Sequence, residues 1–168
     1  SPGAVKPRLI LVDDHRMFRE AIKLTLEQEE GIRVVGEASS GEQALAAIPE
    51  TEPDVAVLDI RLPDLSGVEL ARLLRSKWPK VKLLVLTGYD FDQYVRQLTR
   101  VGVEGYLVKD APRQELVRAL RTVGAGGTYF PARPAEPAEE GTPARAPARA
   151  QPQGELTDRE LEILQLLY

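Results

Sequence analysis

The sequence predicts an α/β protein built on a doubly wound parallel sheet, and three observations predict it. Over the first 127 residues, short runs of Val, Ile and Leu alternate with longer amphipathic stretches, the pattern of strands crossed over by helices. The apolar runs are near-continuous, as expected of strands covered on both faces. Polar residues that can do chemistry follow directly after four of those runs: Asp13-Asp14, Asp59, Thr87-Gly88 and Lys109. In an open parallel sheet, ligands bind beyond the carboxyl ends of the strands.

The elements follow in order. A strand is expected over Arg8–Val12 and a helix over Arg16–Glu29, then a strand over Ile32–Gly36 and a helix over Gly41–Ala47. The third strand, Val55–Leu58, leads to a helix over Ser66–Trp78, where Val68, Leu70, Ala71, Leu73 and Leu74 make an apolar stripe. Glu69, Arg72, Arg75 and Lys77 stay wet on that helix, and Pro79 stops it. Val81–Leu86, a helix over Phe91–Arg100, Gly102–Val108 and a helix over Arg113–Gly124 complete the alternation. Gly124-Ala125-Gly126-Gly127 reads as a helix terminator. Strict alternation with right-handed crossovers fits the flavodoxin-like (βα)5 order 2-1-3-4-5, an order taken from fold-level analogy.

Beyond this unit, placed at 7–127, the composition changes. Residues 128–154 read as a linker, for 13 of the 24 residues from 131 to 154 are Pro or Ala. Residues 155–168 regain helical character as a C-terminal fragment: Thr157 and Glu160 have the spacing of a capping box, and Leu161, Leu164, Leu167 and Tyr168 recur at helical intervals. One such helix cannot bury its apolar face alone. Ser1-Pro2-Gly3 reads as a cloning remnant, not as the start of a signal peptide.

Composition narrows the function. With no Cys, disulfides and thiolate chemistry are excluded, which fits a cytoplasmic setting. No apolar run approaches the roughly 18 residues of a membrane span, so no membrane partner is expected. A net charge of −4 gives no overall attraction to nucleic acid.

Taken singly, each candidate site residue has a plainer role. An Asp after a strand is commonly a helix cap or turn former, Thr87-Gly88 a turn, and Lys109 a solvated lysine. Together, at four strand ends, they point to a site. Three convergent carboxylates repel one another unless a cation neutralises them, and Mg²⁺ suits a few carboxylates, waters and phosphate oxygens. Lys109 adds a compact charge for a phosphoryl oxygen and Thr87 a hydroxyl donor, a set suited to phosphoryl transfer by positioning and charge neutralisation.

The segments Ile10-Leu11-Val12-Asp13-Asp14-His15, Val57-Leu58-Asp59-Ile60-Arg61-Leu62-Pro63-Asp64-Leu65-Ser66-Gly67, Leu86-Thr87-Gly88 and Gly105-Tyr106-Leu107-Val108-Lys109-Asp110 resemble the receiver domain of two-component response regulators. Leu156-Thr157-Asp158-Arg159-Glu160-Leu161-Glu162-Ile163-Leu164 resembles the opening of a LuxR-type helix-turn-helix domain, and together they indicate the NarL/FixJ subfamily. The resemblance implies that Asp59 accepts a phosphoryl group from the phosphohistidine of a sensor histidine kinase. It implies that Asp14, Asp59 and the Arg61 backbone carbonyl hold Mg²⁺, with Asp13 acting through water. Lys109 would contact Asp59 and then the phosphate, Thr87 would be drawn to the phosphate, and Tyr106 would be the switch aromatic. The face of helix four, strand five and helix five would pair two copies. DNA would be read by the full-length protein only, since 155–168 carry just a first-helix fragment and this chain is expected to lack specific DNA binding.

Two departures stand out: Asp110 follows the lysine where many receivers have Pro, and Tyr89 and Arg61 flank the phosphate entrance, where they are read as tuning dephosphorylation. His15 reads as the start of helix one. Two other readings compete. A phosphatase on this scaffold using an aspartyl-phosphate intermediate would need a general acid near Asp59, where position 61 is Arg. A non-catalytic interaction module would not need all five site residues. The favoured reading is a switch that catalyses only its own phosphorylation and dephosphorylation.

Overall fold

The computed structural model describes residues 6–88 and 92–130, and the compact unit containing them ends at Phe130. The linker from 131 onward, the 155–168 helix and Tyr89 lie outside the described residues. Ten elements alternate: β1 (Arg8–Val12), α1 (Arg16–Glu27), β2 (Arg33–Ala38), α2 (Gly41–Thr51), β3 (Val55–Asp59), α3 (Gly67–Lys77), β4 (Lys82–Thr87), α4 (Asp92–Val101), β5 (Gly105–Val108) and α5 (Arg113–Gly124). All strand pairs are parallel, in the order β2-β1-β3-β4-β5, the flavodoxin-like arrangement. Among the described residues no helix is long and apolar enough to cross a membrane.

Side chains of successive strand residues point to opposite faces, so each strand feeds two cores. Leu9, Leu11, Val55, Val57, Leu84, Leu86 and Leu107 pack with Leu26 of α1 and Leu116, Ala119, Leu120 and Val123 of α5. The alternate residues Ile10, Val12, Ala56, Leu58, Leu83 and Val85 are also buried. They occupy the face of the sheet away from α1 and α5, while α2 packs on β1 and β2 and α3 on β3. The central strands are therefore buried on both sides, which explains their unbroken apolar runs.

Three boundaries depart from the sequence expectation for an identifiable local reason. β2 runs to Ala38 because its pairing with β1 continues to Val12↔Ala38, past Gly36. Its register jumps from Leu9↔Val34 to Ile10↔Gly36, a bulge that leaves Val35 without a β1 partner. α2 continues through Pro49 to Thr51, since a proline in the last turn removes only one donor. Glu52 then closes it in the left-handed region at φ 49°, its N–H donating to the Ile48 carbonyl at 2.9 Å. β5 begins at Gly105, not Gly102: Gly102, at φ +85°, ends α4, with its own N–H and that of Val103 donating to the Leu98 carbonyl.

After α5 the chain returns to the sheet. Tyr129 bridges Gly105 in parallel, its N–H donating to the Glu104 carbonyl at 2.9 Å and its carbonyl accepting from Tyr106 N–H at 3.2 Å. A Cβ on Gly105 would lie 2.6 Å from that carbonyl, so only glycine admits the approach. Residues 128–130, read in the sequence as the start of the linker, thus close the outer edge of β5.

Candidate functional site

The carboxyl ends of β1, β3, β4 and β5 lie side by side, and the residues beyond them meet as the sequence requires. Asp13 extends β1, its N–H donating to the Ala38 carbonyl at 3.0 Å. Asp59 is the last residue of β3 and lies opposite Leu86 of β4. Gly67 sets how α3 enters: its N–H donates to the Ile60 carbonyl at 2.6 Å, and a Cβ there would run into the Asp59 carbonyl. Ser66 and Glu69 fasten the same helix start with a reciprocal capping box. Thr87 closes β4, and its carbonyl accepts the Lys109 N–H at 2.7 Å, carrying the lysine to the site.

Asp13 and Asp59 are buried, at 6% and 4% exposure, while Asp14 faces outward. Lys109 Nζ joins the two buried acids, 2.8 Å from Asp13 Oδ2 and 3.1 Å from Asp59 Oδ2. Its ammonium also sits 4.5 Å from the centre of the Phe18 ring, a cation–π distance. Asp59 Oδ1 accepts from the Arg61 N–H at 3.3 Å. Asp13 Oδ1 accepts from the His15 N–H at 2.8 Å, and His15 Nδ1 lies 3.2 Å from the same oxygen and 3.4 Å from Asp14 Oδ1. Arg19 donates to the Asp13 carbonyl.

One lysine does not balance this much negative charge. Burial foremost, and then the neighbouring charge of Asp13, hold the Asp59 carboxyl above its ordinary pKa despite Lys109 and the Arg61 N–H. Burial pulls the Lys109 ammonium down, but its hydrogen bond to Asp13 and the charge of Asp59 outweigh that and leave it above its usual range. Oxygen or nitrogen atoms of Asp13, Asp14, His15 and Asp59 all fall within 4.8 Å of one another, an acidic cluster compatible with a divalent metal. The donors fit a hard cation: excess negative charge, carboxylate oxygens and an open side. Above Asp59 a cleft of about 490 Å³ is lined by His15, Met17, Phe18, Arg61, Gly88 and Lys109.

Thr87 is fully buried at the end of β4, and Tyr106 is buried in β5, opposite Val85. The Tyr106 ring lies 5.1 Å from that of Phe130, tilted by 54°. Sequence reasoning missed three contributors: Phe18 beneath the lysine, Phe130 against Tyr106, and Asp64, whose carboxylate binds the start of α2. Asp64 stands inside the quoted motif, but nothing in local spacing reveals a partner 23 residues away.

The response regulator receiver domain family matches residues 9–121. The DNA-binding transcriptional activator DevR/DosR of Mycobacterium tuberculosis (strain ATCC 25618 / H37Rv) is 42% identical over 161 residues, covering 95% of this chain and 73% of that protein. The transcriptional regulatory protein DegU of Brevibacillus brevis is 37% identical over 125 residues, covering 74% of this chain but only 53% of its own length. Among solved structures, the signal receiver domain of the response regulator NarL from Mycobacterium tuberculosis superposes with a TM-score of 0.68 at 36% identity, over 73% of this chain and 98% of that one. A LuxR-family response regulator from Aurantimonas sp. SI85-9A1 gives 0.70 at 32% identity, over 73% and 88%.

Proposed function

Because the chain belongs to the response regulators of the NarL/FixJ type and carries their receiver domain, we propose that Asp59 is its phospho-acceptor and a sensor histidine kinase its phosphoryl donor. The observation that carries this reading is Lys109 Nζ held between Asp13 and Asp59 at the floor of an open cleft. An Asp59 carboxylate oxygen attacks phosphorus; the new O–P bond forms as the P–N bond of the donor phosphohistidine breaks, and the imidazole nitrogen takes the electron pair. Lys109, already in contact with Asp59, is placed to follow the charge onto a phosphoryl oxygen. Asp14, Asp59 and the Arg61 carbonyl would hold Mg²⁺, with Asp13 through water. When bound, the ion neutralises the carboxylates and the incoming phosphoryl oxygens.

Thr87 and Tyr106 are proposed as the switch pair, and the burial of both supports a packing change as the signal. The chemistry is confined to the protein's own phosphorylation and dephosphorylation. Control of transcription through DNA, with residues 155–168 as a first-helix fragment of LuxR type, and pairing of two copies through the α4–β5–α5 face complete the proposal. The receiver expected at 7–127 would extend through the 128–130 return to β5, with the linker expected at 128–154 beginning after it. A cytoplasmic location goes with these partners.

Incubation with Mg²⁺ and a small acyl phosphate tests the central step. One phosphoryl mass should be added to the protein, and none to Asp59→Asn. Equal labelling of the Asn variant would rule Asp59 out.

A further inference from the structure

The loop joining β3 to α3, residues 60–66, carries Arg61 and is fastened at two places. Its base closes on itself, through the Gly67 N–H on the Ile60 carbonyl at 2.6 Å and a bridge between Arg61 and Ser66. Its tip is fastened to a different element. Asp64 Oδ1 accepts the Gly41 N–H at 2.9 Å and Oδ2 accepts the Glu42 N–H at 2.8 Å. These open α2, where N–H groups have no acceptor within the helix. Ser40 Oγ takes the next, from Gln43, at 3.1 Å. The carboxylate therefore rests on the positive end of the α2 dipole. The Gly41 N–H foremost, with those of Glu42 and Leu65, holds its pKa below the ordinary range despite some desolvation.

The seam is tight on the helix side as well. A Cβ on Gly41 would come 2.8 Å from Leu65 Cγ. An acid and a leucine of the loop tip are thus matched to a bare backbone at the start of a helix that supplies nothing to the acidic site.

We propose that Asp64 is a positioning residue for the divalent cation of the phospho-acceptor site. By tying the loop tip to α2, it holds the Arg61 backbone carbonyl ready for the ion. This rests on the reading of Asp59 and its metal given above. A ligand on an untethered loop must be ordered when the ion binds, at a cost in conformational entropy; a tethered one has been ordered by folding.

The test is a Mg²⁺ titration of the whole 168-residue chain, followed through the backbone amide signals of Asp59, Ile60 and Arg61 by NMR. Asp64→Ala is expected to weaken Mg²⁺ binding by about tenfold, the scale seen when a group supporting a metal ligand is lost. Gly41→Ala, which pushes Leu65 from the opposite side of the seam, should act in the same direction. Asp64→Asn keeps one acceptor oxygen and should fall between Asp64→Ala and the parent. Ser40→Ala removes a cap from the same helix without touching the loop, so it should lower thermal stability and leave Mg²⁺ affinity unchanged. Folded Asp64→Asn and Gly41→Ala proteins with parental affinity would overturn the proposal. So would a Ser40→Ala protein that loses as much affinity as Asp64→Ala. A parent protein that ignores millimolar Mg²⁺ would instead overturn the metal reading itself, and this inference with it.

Discussion

The surroundings of Asp59 work against the ionised form of its carboxyl. Its burial and the charge of Asp13 raise its pKa, so the folded chain takes up this proton at a higher pH than the unfolded chain. The stability contribution of the site is then full below the unfolded pKa and is lost as pH rises through the folded one. Two outcomes follow. Asp59→Asn should abolish phosphoryl labelling yet raise stability by about 1 kcal/mol, read as a higher midpoint in chemical denaturation, since functional sites often hold strain that neutral variants release. In the metal-free protein, an NMR titration should show the Asp59 carboxyl midpoint above that of an exposed Asp. Asp13→Asn should bring it down, both by removing a like charge and by leaving Lys109 to Asp59. At this scale the sequence was legible where the chain direction fixes the answer: acids and a lysine that follow parallel strands must gather at one edge. Phe18 was not, because a phenylalanine on a helix stripe looks the same whether it faces core or ammonium.

Elements carry their own strains and locks. α2 ends in a left-handed Glu52, a conformation that costs an L-residue roughly 1–2 kcal/mol and glycine almost nothing. Glu52→Gly should therefore stabilise the protein by about 1 kcal/mol in thermal denaturation, with phosphorylation unaltered. Gly67→Ala should do the reverse. Its Cβ meets the Asp59 carbonyl, so it is expected to cost about 1–3 kcal/mol and to reduce labelling at Asp59 by displacing the acid's own backbone. Central strands were easy to read because burial on both faces leaves them unbroken Val, Ile and Leu. The edges of elements were harder. Gly102 sits before an apolar run and reads as its first residue, yet its positive φ serves the helix behind it. α2 was expected to end at Ala47, yet it runs through Pro49 to Thr51, since a proline in the final turn forfeits too little to end a helix.

At the level of the molecule, the strand order 2-1-3-4-5 agrees with the expectation, which rested on analogy because alternation alone permits other arrangements. If the acidic cluster holds Mg²⁺ as proposed, the stability of the whole domain depends on the ion. Mg²⁺ at ten times its dissociation constant should add about 1.4 kcal/mol to unfolding by mass action, seen as a rise in Tm that EDTA reverses and that shrinks in Asp59→Asn. The return of residues 128–130 to the sheet could not be read from the sequence, since the need for Gly105 becomes visible only when Tyr129 lies across it. That return has a mechanical meaning. The chain leaves the domain from a parallel bridge gripped by two hydrogen bonds, one of them from the backbone of Tyr106 itself, with the Phe130 ring against its side chain. A pull applied at Phe130 would therefore load those two bonds, and with them the backbone of Tyr106, first.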